Sequence, residues 1–265
     1  MAASQVSGGA FTSQPAMARS KKRIPAAAPT PRLDIVDSAR GFAVCMMIAY
    51  HFLFDTTYFG LTRFHMLEDA GWIAWRDAIV ASFLLLVGLG FVLAERHSQR
   101  GRWKRIGQIA AGAALVSAGS YAIFPASFIY FGVLHFNVLA ALVAPFLLRL
   151  RRGACLVGAA TIVAGYWIHT PLFDPKPVNW LGFIAHKPIT EDYVPVFPWI
   201  GVVLIGVALG HAWQAAGLRV APRLRALQMR LPRWLGWLGR HSLVVYLVHQ
   251  PILFGLFEAG RWLVM

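Results

Sequence analysis

Long apolar segments recur along this chain at short intervals, and they constrain its fold more than any other feature. Seven of them come close to the roughly 17–25 residues that an α-helix needs to cross a bilayer. Backbone N–H and C=O groups in lipid must pair within their own segment, so we expect each segment to be a helix. The sequence therefore predicts an all-α fold, a polytopic bundle of about seven transmembrane helices. The predicted spans are 37–56, 75–94, 106–124, 128–148, 154–170, 194–214 and 241–260.

The composition agrees with lipid as the main solvent of this chain. Hydrophobic residues make up 58% of the sequence and charged residues only 14%, against about 25% charged residues in a typical soluble domain. The connections between the apolar segments are too short to hold a separate soluble domain. We therefore expect one membrane domain at 32–265, preceded by a tail at 1–31.

The tail at 1–31 is rich in Ala, Ser and Pro, carries basic residues and has no acidic residue. A segment of this composition cannot bury enough apolar surface to fold, so we expect a disordered basic tail on the cytoplasmic side. An organellar transit peptide has a similar composition and is the alternative interpretation.

The formal net charge of +14 is informative through its distribution along the chain. Twenty of the 25 Lys and Arg residues fall in the tail through Arg40 and in the loops 95–105, 149–153 and 215–240. These are alternate connections between the predicted spans, and cytoplasmic loops of membrane proteins hold such an excess. The distribution predicts a cytoplasmic N-terminus, and it accounts for the charge without nucleic acid as a partner.

The chain contains only two cysteines, Cys45 and Cys155, and both fall within predicted spans. An apolar environment keeps a thiol neutral and unreactive. We therefore expect neither a disulfide framework nor a cysteine-based metal site, and we assign no metal ligands.

The first predicted span carries ionisable side chains on one face. A charged group within the hydrocarbon costs at least about 2.5–3.5 kcal/mol by insertion scales, so such residues are functional candidates. At about 1.5 Å per residue, His51 lies about 16 Å outward from Arg40, in the outer half of the membrane. Steps of three and four residues place on this stripe Asp37, Arg40, Val44, Met47, His51 and Asp55.

Two pairs on this stripe have specific interpretations. Asp37 and Arg40 are spaced for an ion pair, which either anchors the helix end or belongs to a binding site. His51 and Asp55 are four residues apart, so the carboxylate can hydrogen-bond to the imidazole, fix its tautomer and raise its basicity. This second pair predicts a general base, and a histidine that only bonds a neighbouring helix is the alternative.

Histidines also occur in two other predicted spans. The fourth span runs inward from its first residues, so His135 falls in the outer half of the membrane, near the level of His51. In the last span Tyr246 and His249 share a helix face, and Pro251 frees a backbone carbonyl one turn earlier. Because three helices each bring one histidine, we expect these histidines to converge in one polar pocket.

Several motifs are spread in order over residues 32–257. They are Arg32-Leu33, Asp37 to Gly41, Met47 with His51 to Asp55, Phe83 to Gly88, Tyr130 to His135, Asp192 to Pro195 with Pro198-Trp199, and Ser242 to Pro251. In their order and spacing these motifs resemble the catalytic domain family of heparan-alpha-glucosaminide N-acetyltransferase. This is a set of transmembrane acyltransferases with many bacterial members, so the resemblance implies location in a bacterial inner (plasma) membrane.

The resemblance implies transfer of an acetyl group from cytoplasmic acetyl-CoA to an amine or hydroxyl on the opposite side of the membrane. Basic residues at the cytoplasmic end would hold the CoA phosphates, and the pantetheine arm would lie along the stripe of the first span. A histidine would deprotonate the acceptor as it attacks the thioester. The candidate catalytic residues are His51, Asp55, His135 and His249, and the candidate residues for binding acetyl-CoA are Arg40, Asp37, Asn137 and Tyr246.

One departure from the family pattern affects the choice of base. In the animal enzyme the proposed catalytic histidine lies in the first outer loop, and its nearest counterpart here is His65. The resemblance places His51 where that enzyme has asparagine. We rank His51 first as the base and His65 second. The expected partners are acetyl-CoA, an extracytoplasmic glycan or amino sugar as acceptor, and the lipid bilayer, while a homodimer is allowed.

Two other classes of protein fit the same residues. A haem-binding electron-transfer protein would take its axial ligands from the three histidines of the predicted pocket. A transporter or proton-coupled channel would use Arg40, Asp55 and Asp77 as a polar path.

Overall fold

The computed structural model describes residues 33–95 and 98–264 of the chain. The tail at 1–31 lies outside these residues, and so does the prediction made for it. The described part contains nine α-helices and no β-strand, which confirms an all-α fold. The helices are α1 Asp34–Tyr58, α2 Ala70–Leu93, α3 Gln99–Ile123, α4 Val133–Arg149, α5 Ala154–Trp167, α6 Val196–Ala215, α7 Pro222–Arg230, α8 Arg233–Arg240 and α9 Ser242–Val264.

Each of the seven predicted spans overlaps one helix, α1 to α6 or α9, although α4 begins at Val133 and not at 128. Among the described residues, four helices are both long and apolar enough to cross a membrane: α2, α3, α6 and α9. Helix α4 is apolar but shorter. The number of crossings and the side of the N-terminus stay predictions. The short helices α7 and α8 occupy the basic 215–240 segment, which was predicted to be a connection between spans.

The outward surface of the helices is apolar, as expected of helices that face lipid. Large hydrophobic side chains point away from the bundle, and Leu156, Trp167 and Trp262 are between 79% and 84% exposed. Exposed apolar surface of this extent is rare on a monomeric soluble protein. The four long apolar helices and this surface together indicate a membrane protein.

Helices α1, α8 and α9 form one side of the bundle. The helices α1 and α9 run in the same direction, because the pairs His51–His249 and Phe59–Phe254 both bring them together in increasing order. Helix α8 packs against the first turns of α1 so closely that a Cβ on Gly239 would overlap the Asp37 carbonyl. Small residues at such contacts let two helix backbones approach each other.

Helices α2, α5 and α6 form the other side, and glycines again lie at the contacts. A Cβ on Gly88 would overlap the carbonyl oxygen of Val203, and a Cβ on Gly206 would overlap that of Leu85. On the opposite face of α6, Gly201 lies directly against Gly158 of α5. The α2–α6 packing is continuous with an apolar core that contains Leu84, Phe136, Ala140, Val194 and Val203.

The segment before α6 folds back onto the start of α4. The backbone N–H of Val133, the first residue of α4, donates to Asp192 Oδ2 at 2.8 Å and so satisfies one free donor of the helix N-terminus. A Cβ on Gly132 would occupy the space of this carboxylate. The contact holds the start of α4 next to α9, since the Tyr246 hydroxyl also donates to Asp192 at 3.4 Å.

Candidate active site

Two of the three candidate histidines meet directly at the interface of α1 and α9. His51 Nδ1 and His249 Nε2 lie 2.6 Å apart, which is hydrogen-bond distance. Their rings are stacked, with centroids 4.9 Å apart and planes inclined by 14°. His249 is buried, at 7% exposure. The two histidines are 198 positions apart in the sequence, and the predicted proximity of this pair is confirmed.

The partners of His249 fix the tautomers of both rings. His249 Nδ1 lies 2.7 Å from the backbone carbonyl oxygen of Tyr246, and a carbonyl oxygen only accepts, so Nδ1 carries the proton. In a neutral ring Nε2 then has a free lone pair and accepts from His51 Nδ1–H. His51 Nε2 is left with a lone pair and makes no hydrogen bond to any described protein group. This nitrogen is therefore free to accept a hydrogen bond or a proton.

Asp55 does not pair with His51, so the predicted His51–Asp55 hydrogen bond is wrong. Asp55 Oδ1 accepts from Gln250 Nε2 at 2.8 Å instead. On α1, Asp55 lies one turn beyond His51, and on α9, Gln250 follows His249. The hydrogen bond between Asp55 and Gln250 therefore crosses the same α1–α9 interface as the bond between the two histidines. The helix that packs against α1 therefore decides the partner of each side chain.

His135 does not join the other two histidines, so the predicted convergence of three rings is also wrong. Its Nδ1 accepts from the backbone N–H of Gly132 at 3.2 Å, and its Nε2 lies 3.0 Å from Ser117 Oγ. The Ser117 hydroxyl donates to the carbonyl oxygen of Ile129 at 2.6 Å, so it accepts from His135 Nε2–H. Both ring nitrogens are occupied, and the residue ties α3 to the start of α4.

The residues predicted to bind acetyl-CoA lie in different surroundings. Arg40 donates to Asp37 at 3.2 Å, as the i, i+3 spacing predicts. Asn137, on α4, has a buried Oδ1 without a hydrogen-bond partner. The Tyr246 hydroxyl is used in its bond to Asp192. Arg40 and Asn137 thus keep unused hydrogen-bonding capacity, while Tyr246 has a protein partner.

The second-ranked candidate for the base, His65, is in the loop between α1 and α2. Its side chain is 72% exposed and lies 3.9 Å from Glu68, a residue of the same loop. It has no contact with the His51–His249 pair. The structure therefore separates the two candidates in environment, one solvated in a loop and the other held between two helices.

Three further polar residues belong to this region and are absent from the predicted site. Gln250 and Asp192 lie within motifs that carry the family resemblance, so the sequence contained a signal for them. Burial raises the pKa of the Asp192 carboxyl, although the hydrogen bonds from Val133 N–H and the Tyr246 hydroxyl act in the opposite direction. Trp75 has a buried Nε1–H without an acceptor, and no sequence motif marks it.

The Trp75 indole is close to the histidine pair through shared neighbours. Its ring meets Tyr50 edge to face at 5.7 Å, and the Tyr50 ring lies 6.0 Å from that of His51. Trp75 also packs in the apolar cluster that includes Met47 and Tyr246. A free hydrogen-bond donor and a ring nitrogen with a free lone pair therefore occupy the same part of the bundle.

The geometry disfavours the two alternative classes of protein. His51 and His249 are hydrogen-bonded to each other at 2.6 Å, and His135 uses both of its ring nitrogens elsewhere, so the three rings are not arranged as axial ligands of one haem. For a polar path, Arg40, Asp55 and Asp77 would have to connect. They bond separately, to Asp37, Gln250 and Arg76.

The described part of the chain is all-helical, has four helices able to cross a membrane, and holds a pair of histidines between two of its helices. Residues 32–251 match the family described as heparan-alpha-glucosaminide N-acetyltransferase, catalytic. The match extends over most of the chain, so the chain belongs to this N-acetyltransferase family, and the resemblance noted in the sequence is confirmed. No curated protein and no solved structure matches the chain.

Proposed function

We propose that this protein transfers an acetyl group from cytoplasmic acetyl-CoA to an amine or hydroxyl of a glycan or amino sugar on the opposite side of a bacterial inner membrane. The observation that carries the proposal is the ring of His51, whose Nδ1 is held by His249 while Nε2 keeps a free lone pair. The family to which the chain belongs makes acetyl transfer the reaction for such a base.

In the proposed reaction His51 Nε2 takes a proton from the acceptor as the acceptor nitrogen or oxygen attacks the thioester carbonyl carbon. The carbon–sulfur bond then breaks, and the CoA thiolate recovers that proton from His51. While His51 is an imidazolium, its Nδ1–H still donates to His249, and the Tyr246 carbonyl keeps the His249 ring in place. The second histidine therefore orients the base, as the carboxylate does in a catalytic triad.

The carbonyl oxygen of the thioester gains negative charge during the attack, and a positioned donor would stabilise it. Trp75 Nε1–H is buried, has no acceptor and lies among the neighbours of the histidine pair. We assign this N–H the role of that donor. Its lack of a protein acceptor supports the assignment, because a buried N–H without any partner is costly.

Acetyl-CoA would lie along the α1 stripe, from Arg40 toward His51. The eleven residue steps from Arg40 to His51 correspond to about 16 Å of helix, a distance that an extended pantetheine arm has to cover. Arg40 would hold a CoA phosphate, with Asp37 fixing its guanidinium. The unpaired Asn137 Oδ1 would accept from an amide N–H of the arm.

The proposal is tested with detergent-purified protein, radiolabelled acetyl-CoA and a panel of amino sugars. We expect the wild-type protein to transfer label to an acceptor, and His51→Ala to lose transfer by at least about 10²-fold, the lower end of what a general base contributes. His65→Ala serves as the matched control and should keep its activity. An active His51→Ala protein beside an inactive His65→Ala protein would move the base to the loop.

A further inference from the structure

Asp55 and Gln250 form a polar pair between α1 and α9 that the proposed reaction does not use. Asp55 is 1% exposed, near the end of α1. Gln250 Nε2 donates to Asp55 Oδ1 at 2.8 Å. This leaves two oxygens, Asp55 Oδ2 and Gln250 Oε1, buried and without a hydrogen-bond donor.

Within the described part of the chain, this pair also has no cationic partner. None of the ion pairs formed by described residues includes Asp55, and its only side-chain hydrogen bond comes from the neutral amide of Gln250. A buried carboxylate without a positive partner is costly, and buried polar atoms are otherwise nearly always paired. Two unpaired acceptors beside an uncompensated negative charge match a ligand that is cationic and has several donors.

Asp55 is close to the proposed base His51 on α1, and Gln250 is close to His249, the partner of that base, on α9. Asp55 follows His51 by four residues, about 6 Å along α1, and Gln250 is adjacent to His249. Both cross-helix bonds, His51–His249 and Asp55–Gln250, belong to the interface of α1 and α9. A group held by Asp55 is therefore one helical turn from His51.

We infer that Asp55 and Gln250 bind the ammonium group of the acceptor and present it to His51, an inference that rests on the proposed acetyl transfer. A primary ammonium has three N–H donors and one positive charge, which satisfies Asp55 Oδ2 and Gln250 Oε1 and neutralises the carboxylate. A hydroxyl has one donor and no charge, so it leaves the carboxylate uncompensated. The pair thus determines specificity for an amine.

The chemistry balances with this arrangement. The ammonium must lose one proton before its nitrogen can attack, and that proton goes to the medium. The nitrogen loses a second proton to His51 as the bond to the acetyl carbon forms, and this proton ends on the CoA sulfur as the carbon–sulfur bond breaks. The products are the N-acetylated acceptor, CoA thiol and one released proton.

The test measures thermal shifts of the detergent-purified full chain during titration with three primary amines, glucosamine, galactosamine and ethanolamine. Their hydroxyl counterparts, glucose, galactose and ethylene glycol, are titrated in parallel. We expect at least one amine to bind the wild-type protein at least tenfold more tightly than its counterpart.

Asp55→Asn should remove that preference, and Gln250→Leu should weaken amine binding several-fold. Asp77→Asn makes the same chemical change at a carboxylate already paired with Arg76, and it should bind like the wild type.

The melting temperature without ligand separates a binding role from a structural one. Asp55→Asn removes a buried uncompensated charge, so the unliganded variant should melt at or above the wild-type temperature. A lower melting temperature, equal binding of amines and hydroxyls by the wild type, or unchanged amine preference in Asp55→Asn would each overturn the inference. Binding that depends on Asp55 without any acetyl transfer would instead reject the proposed function. Transfer to an amine with the same KM in Asp55→Asn and wild type would reject only the subsite.

Discussion

The histidines of α1, α4 and α9 differ in how their ring nitrogens are occupied, and this difference separates their roles. His135 uses both nitrogens, for Gly132 N–H and Ser117. His249 also uses both, for His51 and the Tyr246 carbonyl. Only His51 keeps one nitrogen without a partner among the described residues, so it is the one ring that can exchange a proton without breaking a hydrogen bond.

Replacing His249 tests the orienting role that we give it. His249→Phe keeps an aromatic ring against His51 but removes the acceptor for His51 Nδ1–H. We expect kcat to fall by about 10²-fold, within the range of general-base effects, while KM for acetyl-CoA stays unchanged. Steady-state kinetics on the purified variant measure both quantities. A rise in KM with an unaltered kcat would show that His249 contributes to binding and not to orientation.

Replacing His135 should reduce stability and leave kcat unchanged, the reverse of the effect expected for His249. His135→Ala leaves the Gly132 N–H without its acceptor and removes the link from Ser117 to the start of α4, a loss of about 1–3 kcal/mol of stability for an unsatisfied group. We expect a lower melting temperature but an activity per folded molecule near that of the wild type. Thermal unfolding and kinetics on the same preparation measure the two effects, and a selective loss of kcat would return His135 to the catalytic set.

The sequence indicated which residues lie near each other in the candidate site better than it indicated the hydrogen bonds between them. Helical spacing placed His51 and Asp55 on one face of α1, because that face is a property of one segment. Their actual partners, His249 and Gln250, depend on which turn of α9 packs beside α1. The isolated donor of Trp75 could not be predicted, since it becomes buried only when the surrounding helices assemble.

At the scale of elements, glycine positions decide how closely helices approach. In α2 a Cβ on Gly88 would overlap the Val203 backbone of α6, whereas a Cβ on Gly90 would meet nothing within 4 Å. We expect Gly88→Ala to lower the melting temperature by several degrees, because a backbone cannot move aside as a flexible side chain can. Gly90→Ala is the matched control, and it should be neutral or slightly stabilising, since Ala exceeds Gly in helix propensity by about 1 kcal/mol.

Thermal unfolding of the two variants in one detergent provides the measurement. Equal destabilisation by both changes would mean that helix flexibility, and not the α2–α6 contact, is what these glycines provide. A stable Gly88→Ala protein would contradict the close packing of α2 against α6.

The long helices were predictable as elements because each is encoded by its own apolar length. The short helices α7 and α8 were not, since Pro222, Pro232 and a high density of arginine are typical of a loop. Helix α8 is stabilised by packing: its Leu235 and Gly239 are buried against the first turns of α1. That contact exists only in the assembled bundle.

At the scale of the whole molecule, the charge distribution makes a prediction about sidedness. In a protein without Cys45 and Cys155, single cysteines are placed at Gln228 in α7 and at Lys187 in the segment before α6. We expect a membrane-impermeant maleimide applied to the outside of sealed cells to label Lys187→Cys and to leave Gln228→Cys unlabelled, because basic loops stay in the cytoplasm. Permeabilised cells should show labelling at both positions. Labelling of Gln228→Cys in sealed cells would reverse the orientation.

The order of the two histidines along the chain also has a consequence for the synthesis and membrane insertion of the protein. His51 is in the first described helix, and its partner His249 is in the last, 198 positions later. The ribosome synthesises α1 well before α9. Until α9 is made, His51 has no His249 ring to orient it. With His51 as the proposed base, a nascent chain that lacks α9 has no oriented base to promote loss of the thioester, and the proposed site is complete only once α9 is in place.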